Sequence, residues 1–324
     1  MSLSHRRVYR LRDFLSAEST VSGTFSPQSL PSRGLCGNYT ESKNHMKYIT
    51  ILLIFLSITS QAQRFGKTLK ETPGIVSYTY RNSFQKDIAA TLDTIQRLGI
   101  TNIEFSNLFG KTANEIRTLL DERKMRCTSF GVQYGDLVTK TDEVAQNAKT
   151  LGASFVRVAW IPHEGDFTLD HLKKAVDDFN KAGKTLKENY GLTFCYHNHG
   201  YEFQPYEKGT LFDYLAANTS PEFVSFELDI LWAFHPGQDP AILLAKYGPR
   251  FKLMHVKDLR KGITGDFSGR TATENDVALG TGQIDIAAVI KASMKSAIQN
   301  YYIEDESNRV NVQVPISMAY LKRL

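Results

Sequence analysis

The chain has 324 residues, of which 39 are Lys or Arg and 34 are Asp or Glu, so its formal net charge is +5. Seven of these basic and three of these acidic residues precede residue 63, and without them the net charge of the remaining chain is +1. A protein so close to neutral offers no electrostatic reason to expect a nucleic acid or an anionic membrane as its partner. Residues 63–324 suit one single-core α/β domain, and a small-molecule substrate is expected.

Residues 46–62 have the pattern of a secretory signal peptide. Lys47 precedes an apolar run from Ile49 to Ile58, and small or polar residues follow as far as Ala62. Ten helical residues rise only about 15 Å, which is half of a bilayer core. We therefore expect export to the periplasm or beyond, with no stable membrane insertion after cleavage. A retained membrane anchor is the alternative.

Residues 1–45 are expected to lie outside the folded domain. They are rich in Ser, Arg and Gly and lack helical or strand periodicity, which is typical of disorder. Because a signal peptide normally begins a chain, this stretch is interpreted as a disordered or wrongly assigned extension before Met46.

From Pro73 onward, short β-branched or aromatic runs alternate with longer amphipathic segments. Strands are predicted at Ile75–Thr79, Asn102–Phe105, Arg126–Phe130, Phe155–Ala159, Thr193–His197, Val224–Asp229, Lys252–Val256 and Tyr301–Glu304. Helices are predicted near Gln85–Leu98, Ala113–Arg123, Thr141–Leu151, Leu169–Asn189, Leu211–Ala217, Pro240–Tyr247, Ile286–Ile298 and Pro315–Leu321. Thr168 and Thr210 are candidate N-caps, and Gly99 and Gly191 stand where helix C-caps are needed. Eight alternations without a GxGxxG motif favour an α/β fold of the closed (β/α)8 TIM-barrel type in a single domain.

Polar side chains gather where the predicted strands end, which is the catalytic face of such a barrel. These residues are Glu104, His197, Asn198, His199, Asp229, His255, Lys257, Asp258, Glu304, Asp305 and Glu306. Two imidazoles and two carboxylates at one barrel mouth suit Mn²⁺, Co²⁺, Zn²⁺ or Fe²⁺ better than Ca²⁺. A hydrogen-bonded core histidine is an equally good interpretation of His197 alone, whereas a buried Asp229 is costly unless it is paired or bound to metal. Glu227 is interpreted as a structural group, and His163, His171 and His235 as surface residues.

Five motifs in the second half of the chain resemble the xylose-isomerase-like TIM-barrel family of sugar phosphate isomerases and epimerases. They are Tyr-His-Asn-His-Gly-Tyr-Glu-Phe at 196–203, Leu-Asp-Ile-Leu-Trp-Ala at 228–233 followed by Gly-Gln-Asp-Pro at 237–240, His-Val-Lys-Asp at 255–258, Gly-Thr-Gly-Gln-Ile-Asp at 280–285 and Tyr-Ile-Glu-Asp-Glu at 302–306. The first half matches only in its alternation of strands and helices and in Ile103-Glu104. The first of these motifs is similar to that of a secreted subgroup.

The resemblance implies one divalent metal ion, held by His197, Asp229, His255 and Glu304. Other family members have Glu where this chain has His197, and that Glu is half of the acid/base pair of the epimerases. The resemblance therefore leaves the base open. The candidate bases are Glu202, which is expected to fold back over the mouth, and His199. Glu304 is expected to be the second catalytic group. His199 is also a candidate metal ligand in place of His197.

The same resemblance suggests which residues contact the substrate. Lys257 is expected to bind a substrate oxygen or to stabilise an oxyanion, and Glu104 to bind a hydroxyl from the opposite wall. Asn198 and Trp232 are the remaining candidate substrate-binding residues.

The sequence leaves several functions open. The first is metal-assisted proton abstraction next to a sugar carbonyl, giving isomerisation or epimerisation. The second is a lyase or hydrolase of 3-keto-glycosides, in which the same enolate expels the aglycone. A non-catalytic sugar-binding barrel is the third. A DNA-repair endonuclease on the same barrel would need more metal ligands and more basic loops than this chain has, so nucleic acid is not expected.

Overall fold

A computed structural model describes residues 65–69 and 71–324. The interpretations of residues 1–45 and 46–62 lie outside this range. Among the helices of the described range, none has the length and the apolar character that crossing a bilayer requires.

The described residues form a closed barrel of eight parallel strands. In chain order the strands of the structure are β1 (Gly74–Val76), β2 (Asn102–Phe105), β3 (Arg126–Gly131), β4 (Phe155–Val158), β5 (Thr193–His197), β6 (Pro205–Tyr206), β7 (Gly209–Thr210), β8 (Val224–Asp229), β9 (Phe251–Val256) and β10 (Asn300–Ile303). The barrel order is β1-β10-β9-β8-β5-β4-β3-β2, and β6 and β7 make a separate antiparallel hairpin. The predicted TIM-barrel fold is confirmed.

Helices follow the barrel strands and cover their outer surface. They are α1 (Arg81–Phe84), α2 (Ile88–Arg97), α3 (Ala113–Glu122), α4 (Tyr134–Thr139), α5 (Thr141–Leu151), α6 (Leu169–Tyr190), α7 (Leu211–Asn218), α8 (Ile230–Phe234), α9 (Pro240–Tyr247), α10 (Ile286–Ser293) and α11 (Val310–Arg323), with 3₁₀ turns at Ser77–Tyr80, Tyr201–Phe203 and Thr273–Asn275. Thr168 and Thr210 are N-caps, as predicted, and each also forms a capping box. Gly99 and Gly191 adopt positive φ angles of 78° and 68° after their helices.

The structure differs from the predicted boundaries at a few elements. β1 ends at Val76 because the chain turns into a 3₁₀ helix that buries Thr79 and Tyr80. α11 starts at Val310, five residues before Pro315, which the sequence suggested as its first residue. A short helix that the sequence did not predict, α8, follows β8 directly. His235, expected at the surface, is buried, since the loop around Asp266 packs on its ring.

The barrel interior is built in layers because side chains two residues apart on a strand share a face. A small apolar cluster fills the lower layer: Phe155, Cys195, Leu253 and Tyr302. Two residues further along the chain from each of these stand Arg157, His197, His255 and Glu304. The apolar layer therefore closes the barrel floor and places the polar residues at the mouth.

Candidate functional site

Four side chains from four separate strands meet at the barrel mouth. His197, Asp229, His255 and Glu304 each offer one ligand atom, and these four atoms all lie within 4.8 Å of one another. Nδ1 of His255 lies 2.9 Å from Oε2 of Glu304 and 3.1 Å from Nε2 of His197. Oδ2 of Asp229 lies 3.3 Å from the same His197 nitrogen. The four residues that the family resemblance suggested as ligands are thus brought together.

Asp229 reaches this cluster because it is also the N-cap of α8. Its Oδ1 accepts a hydrogen bond from the Trp232 N–H at 2.9 Å, which turns Oδ2 toward the imidazoles. Asn198 fixes the backbone of Asp229 from both sides: its amide accepts from the Asp229 N–H at 3.0 Å and donates to the Asp229 carbonyl at 3.1 Å. The structure therefore assigns Asn198 a contact that positions Asp229, and its side chain is fully buried.

The donor set fits a divalent transition-metal ion. Oδ2 of Asp229 is buried and has no hydrogen-bond partner in the described part of the chain. Burial holds the pKa of His197 well below its usual value, so its ring is neutral and can act as a ligand. Two imidazole nitrogens and two carboxylate oxygens are a set that Zn²⁺, Mn²⁺, Co²⁺ and Fe²⁺ accept.

A second polar layer lies below the cluster and orients His255. Its Nε2 is 2.9 Å from Oε1 of Glu104 and 3.3 Å from Oε1 of Glu227. Arg157 donates to Glu104 at 2.5 Å and 3.0 Å and lies 3.3 Å from Glu227. With Nε2 engaged by carboxylates, Nδ1 is the nitrogen turned toward the cluster. Glu104 thus contacts His255 and Arg157, where a substrate hydroxyl was expected.

Charge compensation explains how four buried carboxylates coexist at this mouth. Burial raises the pKa of Asp229. Burial and the negative charge of Glu104 raise the pKa of Glu227 well above its usual value. Glu304 behaves oppositely: burial favours its neutral form, but the charges of Lys257 and His255 outweigh burial and hold its pKa well below the usual range. Glu304 is therefore ionised and ready to bind a cation.

Lys257 lies among carboxylates. Its Nζ is 3.3 Å from Oε2 of Glu304, 2.6 Å from Oε1 of Glu306 and 3.9 Å from Oδ2 of Asp229. The side chain is fully buried and its ammonium lies 5.4 Å from the centre of the Trp232 ring. Its observed contacts are with two of the candidate ligand carboxylates and with Glu306, and the expected contact with a substrate oxygen stays a prediction.

Above the cluster lies a cavity of about 620 Å³. Aromatic residues make up much of its wall: Tyr78, Tyr134, Trp160, His197, His199, Trp232 and His255. His199 stacks on Trp232 with ring centres 5.7 Å apart. Its Nδ1 is buried and has no hydrogen-bond partner among the described residues.

Glu202 does not line this cavity. Its carboxylate is fully buried and accepts hydrogen bonds from the backbone N–H groups of His199, at 3.1 Å, and Gly200, at 2.8 Å. The hydroxyl of Tyr196 also donates to it. Burial raises the pKa of Glu202 to about 7. Glu202 is therefore a support for the loop that carries His199, and the expected fold back over the mouth is not observed.

Two residues near the cavity were not predicted from the sequence. Arg157 is a charged residue in the otherwise apolar run Phe155–Val158, a signal that the two-residue strand period could have placed inside the barrel. Arg270 lies in the long loop between β9 and α10, with its guanidinium 5.1 Å from the centre of the Trp160 ring. No local pattern identifies such a loop residue.

Known proteins share parts of this sequence and most of this fold. The inosose dehydratase of Bacillus anthracis strain CDC 684 is 34% identical over 98 residues, which are 30% of this chain and 32% of that protein. The chain thus spans about a third of the length of the curated relative that it matches. A solved sugar phosphate isomerase/epimerase from Parabacteroides distasonis superposes with a TM-score of 0.62 at 24% identity, over 79% of this chain and 96% of that chain.

A second solved structure, the IOLI protein with a zinc atom bound, superposes with a TM-score of 0.61 at 14% identity, over 78% of this chain and 96% of that chain. At such identities these two structures indicate the fold alone. A model of the family described as xylose isomerase-like TIM barrel matches residues 92–323, from α2 to the end of α11. The chain belongs to the xylose isomerase-like TIM barrel family.

Proposed function

We propose that this protein is a metal-dependent enzyme that removes a proton next to the carbonyl of a sugar, and so isomerises or epimerises it. One observation carries the proposal: two imidazole and two carboxylate ligand atoms lie within 4.8 Å of one another beneath an aromatic cavity. A divalent ion bound by His197, Asp229, His255 and Glu304 would polarise the substrate carbonyl and make the neighbouring C–H more acidic. The resemblance to sugar isomerases and epimerases supports a sugar as the substrate.

His199 is the residue that we expect to take the proton. Burial and the neighbouring His197 keep the pKa of His199 well below its usual value, so its imidazole is neutral and has a lone pair available. Trp232 stacks on the ring, and Glu202 holds the loop that carries it. The neutral imidazole is the form in which a histidine can accept a proton.

Lys257 supplies the positive charge of the site. Burial lowers its pKa, but Asp276, Glu304 and Glu306 outweigh burial and keep it well above its usual value. As a permanent cation it holds Glu304 ionised, and it stabilises negative charge that develops on a substrate oxygen close to that carboxylate.

A β-elimination is the second candidate. Epimerisation needs an acid and a base on opposite faces of one carbon. Here Glu304 belongs to the ligand cluster, and His197 stands where the epimerases have the other glutamate of their acid/base pair. One free base suffices when the enolate expels a leaving group. The similarity to an inosose dehydratase supports this reaction, for which a 3-keto-glycoside is the proposed substrate. A non-catalytic sugar-binding barrel is the remaining alternative.

Hydrogen exchange tests the function and separates its two forms. The protein is incubated with simple ketoses and with 3-keto-glucosides in D₂O containing Mn²⁺ or Co²⁺, and products are examined by NMR. Deuterium at one carbon of an isomer or epimer supports the first reaction. Release of the aglycone or of water identifies elimination. A protein that holds stoichiometric metal but catalyses no exchange in any of these sugars would contradict the proposal, and one that holds no transition metal would favour the sugar-binding barrel.

The proposal places the enzyme outside the cytoplasm, in the periplasm or in the medium. It rests on the signal-like pattern of residues 46–62. Since phosphorylated sugars are scarce there, an unphosphorylated sugar is the expected substrate. N-terminal sequencing of the native protein tests this, and a mature chain that still contains residues 46–62 would contradict it.

A further inference from the structure

A smaller pocket adjoins the cavity above the ligand cluster. Its volume is about 230 Å³, beside about 620 Å³ for the cavity. The two share four lining residues from the loops after β2 and β3: Ser106, Asn107, Val132 and Gln133. The two pockets therefore lie on either side of the same four residues.

The smaller pocket has an apolar floor and a polar rim. Phe130 and Val144, both 4% exposed, contribute to the floor. Asp136, Lys140 and Asn147 contribute to the rim, and Asp136 and Lys140 form an ion pair of 3.1 Å. A pyranose ring has the same division, since its C–H groups form apolar faces and its hydroxyls lie around the edge. The pocket therefore fits a sugar ring better than an aliphatic group.

Two amide side chains line this pocket, those of Gln133, which is exposed, and Asn147, which is partly buried. Neither Gln133 nor Asn147 makes a side-chain hydrogen bond to another described residue, although both line the pocket. Gln133 also lines the main cavity, so it stands at the junction of the two. An amide offers both a donor and an acceptor, which is what adjacent sugar hydroxyls require.

The loop after β2 is held in one shape. Asn107 accepts a hydrogen bond from the Phe109 N–H at 2.7 Å, and Phe109 adopts a φ of 48°. The Phe109 ring stacks on Phe84 with centres 5.0 Å apart, which anchors the loop to α1. A positive φ at a bulky residue persists only where its surroundings impose it, so the shared wall is pre-formed.

We propose that the smaller pocket is a second sugar subsite, and that the substrate is a glycoside of disaccharide size. One ring lies over the ligand cluster in the main cavity, and the second ring contacts Gln133 and Asn147. The inference rests on the proposed function, because it assumes that the main cavity binds the reacting sugar. It narrows the substrate class from sugars in general to glycosides with two rings.

Direct binding tests this subsite without relying on turnover. Maltose, cellobiose, trehalose and methyl glucoside are titrated calorimetrically into the full Mn²⁺-loaded protein. At least one disaccharide is expected to bind about tenfold more tightly than methyl glucoside, the gain from one or two hydrogen bonds and ring contacts. Asn147→Trp fills the pocket and should remove this advantage. Gln146→Trp, at the exposed neighbouring position of the same helix, should retain it.

The outcomes distinguish a failure of the proposed subsite from a failure of the proposed function. Equal or weaker binding of all three disaccharides, or an undiminished advantage in Asn147→Trp, overturns the subsite, even if monosaccharides still exchange deuterium. A disaccharide advantage that Asn147→Trp abolishes supports the subsite, even if no sugar exchanges. If Asn147→Trp does not fold by circular dichroism, Gln133→Ala replaces it, and the expected twofold to tenfold loss for disaccharides should exceed any loss for methyl glucoside, since Gln133 also lines the main cavity.

Discussion

Nε2 of His197 lies 3.1 Å from Nδ1 of His255, although 58 positions separate the two residues in the chain. Both rings are buried, with 2% and 1% of their surface exposed. Only one proton can lie between two such nitrogens, and both also face carboxylate oxygens of Asp229 and Glu304. The nitrogens of a structural histidine normally each have one complementary hydrogen-bond partner. Two imidazole nitrogens and two carboxylate oxygens that face one another are instead the arrangement that a shared cation requires.

The carboxylates around His255 predict that metal binding releases a proton. Burial lowers the pKa of His255, but Glu227, Glu304 and Glu104 outweigh burial and raise it well above its usual value. The metal-free ring is therefore protonated at neutral pH, while a ligand nitrogen must be unprotonated. Affinity for Mn²⁺ should rise about tenfold per pH unit below that pKa. Calorimetry in buffers of different ionisation enthalpy counts the released protons, and no release at pH 7 would contradict the assignment of Nδ1 as a ligand.

His199 is expected to act as the base and not as a ligand. His199→Asn should lower the rate of deuterium exchange by a factor of about 10² to 10⁴, the usual contribution of a general base, and leave the metal content unchanged. His171→Asn is the control, because His171 belongs to the capping box of α6 and lies outside the cavity. Metal analysis and exchange rates are measured on both variants. Loss of the metal in His199→Asn would move this residue into the ligand set.

Glu202→Gln separates a supporting role from a catalytic one. Because Glu202 lies outside the cavity, exchange should persist in the variant; loss of exchange with the fold intact would restore Glu202 as the base.

Burial raises the pKa of Glu202 from 4.5 to about 7. The neutral carboxyl therefore favours the folded state below pH 4.5, and this contribution, up to about 3 kcal/mol, is lost as pH rises through 7.

The same substitution should therefore change how stability depends on pH. The glutamine side chain of the variant cannot ionise, so its free energy of unfolding should fall less than that of the wild type between pH 5 and pH 8. Urea denaturation at several pH values measures this difference, and parallel pH profiles would show that Glu202 does not titrate in this range.

Arg157 is expected to be essential to stability. Its removal leaves the buried Glu104 and Glu227 with His255 as their remaining cationic neighbour. Breaking a buried ion pair typically costs about 3 to 5 kcal/mol, so Arg157→Met should lose about that much. Arg126→Met is the matched control, because Arg126 pairs with Glu71 at a half-exposed position and should lose about 1 kcal/mol or less. Urea denaturation compares the two, and equal losses would mean that the buried pair is not the cause.

The barrel was predictable because it follows from local periodicity, and the ligand set because its residues match the family's motifs at the strand ends. Alternating apolar runs located the eight strands, and the position of each polar side chain at a strand end determined that His255 and Glu304 would meet. Capping residues such as Thr210 set the helix starts correctly, since caps depend on hydrogen bonds within four residues.

The parts that depend on contacts between distant segments were less predictable. The position of Glu202 depends on how the loop after β5 folds back on its own backbone. The negative charge of Glu104 is compensated by Arg157, which lies 53 residues further along the chain. Neither relation leaves a periodic signal. The aromatic cavity walls likewise combine side chains from several loops, and of their tyrosines and tryptophans only Trp232 was singled out in advance.

Metal stoichiometry tests the central claim most directly. The purified protein, loaded with Mn²⁺, Co²⁺ or Zn²⁺ and then dialysed, should contain one ion per chain by inductively coupled plasma mass spectrometry. His255→Ala and Glu304→Ala should contain none while keeping the circular dichroism of the barrel, because each variant removes one of only four ligands. Full occupancy in both variants, or a wild-type protein that retains no metal, would contradict the account.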